Sequence, residues 1–373
     1  MEQSSGVAWK WIIGIIVILA IVWFGYSLSR TYDCTDGCGT GGMLAAQKTI
    51  KIGVVMPLTG PAAAFGVAGQ KMIEMAQAEL SGTKNQYQVV IEDDGSNPAN
   101  AASVAQKLTS LENVRAILTT TSPSGNAIKP IAVVAGIPLI CVGCADQKVP
   151  DGKLSYNYSV LPDKEAAGWL TEAQKRQIKT VAFLSQNHAG INALADAIER
   201  NGSAFGITFV YKDRYDAASR DFKTQIIQAK GTKPDTYLLI GFPPGIDVIG
   251  QQLKDFGITN ISGATTFGIA AKPELFEGLW MTDFPLADDS IRTRFVEKFP
   301  EIRFNYRSGP TAYDAFNLLV KGFEAGGDIG NFLQNTSSYD GVAGTATKTH
   351  GGGVFELSTR VYTMQNGRQT LAQ

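Results

Sequence analysis

Residues 50–80 read IKIGVVMPLTGPAAAFGVAGQKMIEMAQAEL. The opening run is dominated by β-branched Ile50, Ile52, Val54 and Val55, a pattern that predicts a short strand buried on both faces. Pro57-Leu58-Thr59-Gly60-Pro61 then supplies turn chemistry. A helix follows, with Ala68, Met72, Met75, Ala76 and Leu80 on its apolar face and Gln70, Lys71, Glu74 and Gln77 facing water. The unit is strand, loop, helix. In a parallel α/β sheet the loop after a strand's carboxyl end is where ligands are held.

The alternation continues outward from this unit. Residues 87–92 predict a strand ending in Glu92-Asp93-Asp94-Gly95, a run of carboxylates expected to be solvated. Asn97-Pro98 supplies an N-cap with proline at the first helical position, and Ala101, Val104, Leu108 and Leu111 form the buried stripe of that helix. A strand at 115–119, a helix at 124–135 whose first turns are limited by Pro130, and a strand at 137–141 complete the series. A second series begins near Tyr156, with helices at 165–177, 191–201, 222–230 and 248–256 and strands at 180–185, 207–211 and 236–240. Repeated βα units of this length imply parallel sheets with right-handed crossovers. The fold class is therefore α/β, with two doubly wound parallel-sheet lobes. The tail departs from the rhythm, with a helix at 311–325 and short closing strands at 339–345, 353–357 and 360–364.

The 373 residues carry a net charge of -1, which gives no electrostatic case for nucleic acid. Residues 11–28, WIIGIIVILAIVWFGYSL, are uncharged and apolar with aromatics at both ends, near the minimum for a membrane span. An uncleaved N-terminal transmembrane anchor is the expectation; Ser27-Leu28-Ser29 also fits a small-x-small cleavage site, which keeps a cleaved signal as the other reading. No lipobox precedes Cys34. Lys10 before the span and Arg30, Asp33 and Asp36 after it place the body outside the cytoplasm. Residues 31–49 read as a flexible tether, within which Gly37, Gly39 and Gly42 satisfy G-x-G-x-x-G without the strand and helix that would give it meaning.

Catalysis is poorly supplied. The only histidines, His188 and His350, lie far apart, and no G-x-S-x-G elbow is present. His350-Gly351-Gly352-Gly353 reads as turn chemistry. Cys34/Cys38 and Cys141/Cys144 are two local pairs without the second C-x-x-C of a structural zinc site. Cys141-Val142-Gly143-Cys144 is open to three readings: a small-loop disulfide or plain packing, a redox pair, or a metal site. The more informative group is Thr119-Thr120-Thr121-Ser122-Pro123-Ser124-Gly125, between a strand and a helix N-terminus. Its hydroxyls and free N–H groups suit a carboxylate or phosphate, or Ser122 or Ser124 simply caps the helix.

The run IGVVMPLTGPAAAFG resembles the signature of the branched-chain amino-acid (leucine/isoleucine/valine) binding proteins of ABC importers, and the resemblance extends from Ile50 to Arg368. It implies the type I periplasmic binding protein fold, two lobes joined by a multi-strand hinge. It implies that Ser122, Pro123 and Ser124 meet a ligand carboxylate. Gly143, Cys144 and Ala145 then fall in the segment that holds the amino-acid head, where Ala145 stands in place of a threonine. By the same resemblance His188 takes the place of an aromatic, Phe242 matches a covering aromatic, Phe65 a ligand-facing one, and Thr266 stands where an acidic residue meets the ammonium. With Ala145 and Thr266 in those places, the expected ligand is a small amino-acid-like, carboxylate or amide molecule rather than a standard branched-chain amino acid.

The sequence thus predicts residues 1–30 as anchor or signal, 31–49 as tether, 50–161 and 287–345 as the first lobe, and 162–286 and 346–373 as the second. The expected protein is a membrane-anchored extracytoplasmic solute-binding protein that closes on its ligand by hinge motion. Its partners would be an ABC permease and the membrane; neither cofactor, metal nor catalysis is expected. A membrane-anchored sensor and, from a different class, an extracytoplasmic thiol–disulfide protein are the alternatives.

Overall fold

β1 (Thr49–Met56) pairs in parallel with β2 (Gln86–Asp93) on one side and β3 (Ala116–Thr119) on the other. The parallel run continues through β4 (Leu139–Val142), β5 (Ser155–Ser159) and β13 (Val354–Glu356), then closes antiparallel with β12 (Gly344–Lys348) and β11 (Ser338–Gly341). This computed structural model describes residues 47–349 and 351–372, so the expected anchor, nearly all of the tether and His350 lie outside the described residues. Among the described residues no helix is long and apolar enough to cross a membrane.

The continuous apolar run of β1 has the expected cause. Ile52, Val54, Val55 and Met56 are fully buried because helices cover both faces of the sheet. α1 (Ala63–Ala78) and α9 (Gly309–Ala325) lie on one face, and α2 (Pro98–Ser110) and α3 (Ser122–Ala135) on the other. Asn97 caps α2 as its sequence predicts, accepting the Ala99 N–H at 2.8 Å with Pro98 at the first helical position. Leu111 does not join the buried stripe: α2 stops at Ser110, and Leu111 is 72% exposed.

The second lobe repeats the plan. β6 (Thr180–Gln186), β7 (Thr208–Tyr215), β8 (Thr236–Ile240), β9 (Ile261–Ala264) and β10 (Trp280–Asp283) form a parallel sheet in the order 7-6-8-9-10. β14 (Arg360–Gln365) and β15 (Arg368–Leu371) extend it antiparallel. α4 (Pro162–Lys175) and α5 (Ala189–Asn201) cover one face, where Trp169 stacks on Trp280 at 5.8 Å. α6 (Lys223–Gly231) and α7 (Gly245–Asp255) cover the other. Both lobes belong to one compact unit, residues 48–373.

The chain passes between sheets three times, at 160–161, 284–288 and 357–359. The first crossing adjoins Leu161-Pro162 and the second includes Leu286. The third follows β13 rather than Thr345, because the parallel pairing of β13 with β5 keeps residues 346–356 in the first sheet. The single strand expected at 339–345 is the hairpin of β11 and β12. β9, β10, α8 (Asp289–Lys298) and α10 (Ile329–Asn335) had no clear signal in the sequence.

Asp314, on α9 and almost wholly buried, fixes that hairpin. Its carboxylate accepts the N–H groups of Val342 and Ala343 at 2.8 and 2.9 Å and the Tyr158 hydroxyl at 3.2 Å. Burial pushes its pKa up to about 7, although those hydrogen bonds pull the other way. The folded protein therefore holds this proton more tightly than the unfolded chain. The resulting stability is fully present below about pH 4 and is lost as pH rises toward 7. Melting temperatures of wild type and Asp314→Asn between pH 4.5 and 7.5 test this: the wild type should lose ground relative to the variant as pH rises, and parallel profiles would refute it.

Candidate functional site

Parallel pairing brings the loops after β1 to β5 to one sheet edge and those after β6 to β10 to one edge of the other. Phe65 stands at the start of α1, on the first edge. Gly66 beside it admits close packing, since a Cβ there would overlap the Pro57 carbonyl oxygen. Phe242 stands on the second edge, with its N–H donated to Gln186 Oε1 at 2.7 Å. Gly241 is again a steric requirement, because a Cβ would overlap the Tyr215 hydroxyl. Phe65 and Phe242 meet edge to face, centroids 5.6 Å apart, and His188 lies edge to face on Phe242 at 5.1 Å.

His188 has a second task. Its Nδ1 accepts the Gly190 N–H at 3.2 Å and caps α5, which places the neutral ring's proton on Nε2. Partial desolvation of the imidazole, packed against Phe242, lowers its pKa and favours that neutral form.

The serine-rich loop is built from its hydroxyls. The cap of α3 is Thr121, whose Oγ1 accepts the Ser124 N–H at 3.3 Å, rather than Ser122 or Ser124. Ser122 Oγ reaches across to accept the N–H groups of Ala145 and Asp146, each at 3.2 Å. Its own hydroxyl hydrogen is left to donate. Pro123 is exposed. Ser124 is buried and turned inward, donating to Asp94 Oδ2 at 2.6 Å and accepting from Thr121 Oγ1 at 2.7 Å.

The carboxylates of 92–94 are not the solvated run the sequence predicts. Glu92 pairs with Lys107 at 2.7 Å. Asp93 accepts the Leu58, Thr59 and Gly95 N–H groups and the Thr59 hydroxyl, and so shapes the loop after β1. Asp94 is fully buried, and that burial raises its pKa against the opposing bonds from Ser124 and the Ser96 N–H.

Beyond β4, Cys141 and Cys144 form a disulfide, which selects among the three readings of that pair. Both half-cystines are buried with Val149, out of reach of a thiol partner. Gly143 lies within this closed loop, and its carbonyl oxygen is 3.4 Å from Arg307 Nη1. Thr266 is buried, with its hydroxyl spent on the Ala264 carbonyl at 2.6 Å. The neighbouring Thr265 instead reaches inward to donate to Glu165, which is paired with Arg307. So Phe65, Phe242 and His188 come together, Ser122 joins the segment containing Ala145, and Ser124 and Thr266 serve the frame. Glu165 and Arg307 are the residues sequence reasoning missed, while the sequence predicts Asp94 to be solvated. Glu165 reads as an ordinary acid in a first helical turn, and nothing local marks Arg307, 142 residues away.

The pattern of the periplasmic binding protein family matches residues 49–369 of this architecture. The chain belongs to the periplasmic binding protein family. Among its relatives, Leu/Ile/Val-binding protein homolog 3 of Brucella melitensis is 24% identical, over 87% of this chain and 94% of its own length. The leucine-, isoleucine-, valine-, threonine- and alanine-binding protein of Pseudomonas aeruginosa is 24% identical, over 81% and 85%. In structure this periplasmic binding protein resembles the branched-chain amino acid transporter substrate binding protein LivJ of Streptococcus pneumoniae, solved with isoleucine. The TM-score is 0.77 at 22% identity, covering 87% of this chain and 99% of that one. A Rhodopseudomonas palustris solute binding protein of an ABC transporter, solved with 4-hydroxybenzoate, has a TM-score of 0.74 at 20% identity, covering 87% and 96%.

Ser124→Ala removes the hydroxyl donor of a buried carboxylate, a charge-assisted bond of about 1.5–3 kcal/mol. Urea unfolding should show a loss of that order, against little change for the exposed Pro123→Ala. A Ser124→Ala variant as stable as wild type would show that Asp94 does not depend on this bond.

Proposed function

We propose that this chain is the solute-capturing component of an ABC importer, held outside the cytoplasm by its apolar N-terminal segment, and that it takes a small carboxylate or neutral ligand between its lobes. The observation that carries the reading is the contact of Phe65 with Phe242, one ring from each lobe. Opening of the lobes would break this contact and closure would remake it, as in the hinge closure of a binding protein. At a 5.6 Å centroid separation nothing fits between the rings. A flat apolar or aromatic group that parts them exchanges one ring contact for two of the same kind, an exchange that favours binding. The family membership, and relatives described as binding proteins of transporters, support the importer role.

The polar contacts favour an anion or a neutral group over a free amino acid. Ser122 retains a hydroxyl hydrogen to donate beside the N-terminus of α3, where a carboxylate is favoured. Three carboxylates near these loops already have partners: Asp94 with Ser124, Asp146 with Asn126 and the Lys148 N–H, and Glu165 with Arg307. Thr266 has spent its hydroxyl and Ala145 has none, so an ammonium would lack the charged partner that its burial requires.

A thermal-shift screen against aromatic and aliphatic carboxylates, amides and branched-chain amino acids tests both parts, since a ligand of the folded state raises the melting temperature. A carboxylate should shift the transition, and Phe242→Ala should weaken its binding by about 10–100-fold, as expected for a lost aromatic contact of roughly 1.5–3 kcal/mol. Leucine or isoleucine binding more tightly than any carboxylate without an ammonium would overturn the ligand class.

A further inference from the structure

We propose that Glu165 and Arg307 form a positioning pin between the lobes: one largely buried ion pair that ties the loop after β4 in the first lobe to the loop after β9 in the second. Glu165 lies on α4, just past the first crossing, with its side chain 3% exposed. Arg307 lies before α9, where the Asn305 side chain fixes the backbone by accepting the N–H groups of Arg307 and Ser308, both at 3.0 Å. Arg307 Nη2 is 2.9 and 3.0 Å from the two Glu165 oxygens. The same guanidinium lies 4.2 Å over the Phe284 ring, at the second crossing, and sends Nη1 to the Gly143 carbonyl.

The other end of the pair is tied to the second lobe's loop. Glu165 Oε1 also accepts the Thr265 hydroxyl, and Thr265 holds a φ of +53, a left-handed conformation that is uncommon for a β-branched residue. A single carboxylate thus compensates that backbone and neutralises Arg307. The segment around Arg307 adds two more contacts to the second lobe: Arg303 donates to the Ala270 carbonyl, and the Tyr306 hydroxyl to the Gln369 carbonyl at 3.2 Å. Removing Arg307 leaves the Glu165 charge buried and unpaired, and removing Glu165 leaves the half-buried guanidinium without its anion. Each loop would then lose the anchor it shares with the other, while the two sheets stay intact. The pin acts on loop placement and needs no ligand to do so.

Hydrogen exchange of the full, ligand-free chain tests this, because local opening is read peptide by peptide. In Glu165→Gln and Arg307→Gln, peptides covering 141–148 and 264–270 should exchange on the order of tenfold faster, with β1 and β6 unchanged. Arg307→Lys separates the pin from a general loss of stability and serves if either first variant fails to fold. It keeps a charge for Glu165 but loses the Gly143 and Phe284 contacts. Protection should then fall at 141–148 and persist at 264–270. Unchanged protection of both peptides in the Gln variants, or equal loss in both peptides and in β1 and β6 for Arg307→Lys, would overturn the proposal. These outcomes do not depend on which ligand the cleft takes.

Discussion

In a parallel pair both carboxyl ends emerge at one edge, and the rest of this molecule depends on that constraint. Once β1 pairs in parallel with β2 and β3, the loops carrying Phe65, Asp94 and Ser122 must share an edge. The same rule in the second sheet gathers the loops bearing His188, Phe242 and Thr265. Three crossings between the sheets leave these two edges as the walls of one cleft. The polar groups at the walls then need partners, because a loop packed against another loop loses its water.

That need explains where the hydroxyls and carboxylates went. Asp93 is consumed by the loop after β1 and Asp94 by Ser124, so both carboxylates of the first lobe's wall are already hydrogen-bonded. Ser122 joins the end of β4 to the start of α3, across the loop that the Cys141–Cys144 disulfide already closes. The second lobe's loop is held by Gln186 under Phe242 and by the Ala264 carbonyl under Thr266. What remains unspent is largely aromatic, together with the hydroxyl hydrogen of Ser122.

Much of the frame was legible because its signals are local. The β-branched run of β1, the Asn97-Pro98 cap and the alternation of strand and helix all act within a few residues. β9 and β10, four residues each, were not legible, since ISGA and WMTD carry no pattern that separates strand from loop. The third crossing escaped for a related reason: only the pairing of β13 with β5, nearly 200 residues away, keeps residues 346–356 in the first lobe. In the candidate site, the resemblance names loops but not which way each hydroxyl turns. Ser122 and Ser124 look alike in sequence; one faces the loop at Ala145 and the other a buried acid, and helical spacing separates them.

The same distinction bears on how ligand preference is written in such a scaffold. A ligand's charge is recognised by whatever polar group is still unpaired once the frame has been satisfied, so the residue at one loop position does not decide the outcome alone. Thr266 would be no anchor for a cation even if it faced the cleft, and its burial removes it altogether. Glu165 is a buried acid just past the first crossing. It already neutralises Arg307, and a ligand cation could claim it only by leaving that guanidinium unpaired. Phe65 and Phe242 carry no charge to neutralise; they pack on each other, and Phe242 also packs on His188 and the second lobe's core. The Glu165–Arg307 pair therefore belongs to the frame, and under the proposed reading the rings are left for the ligand.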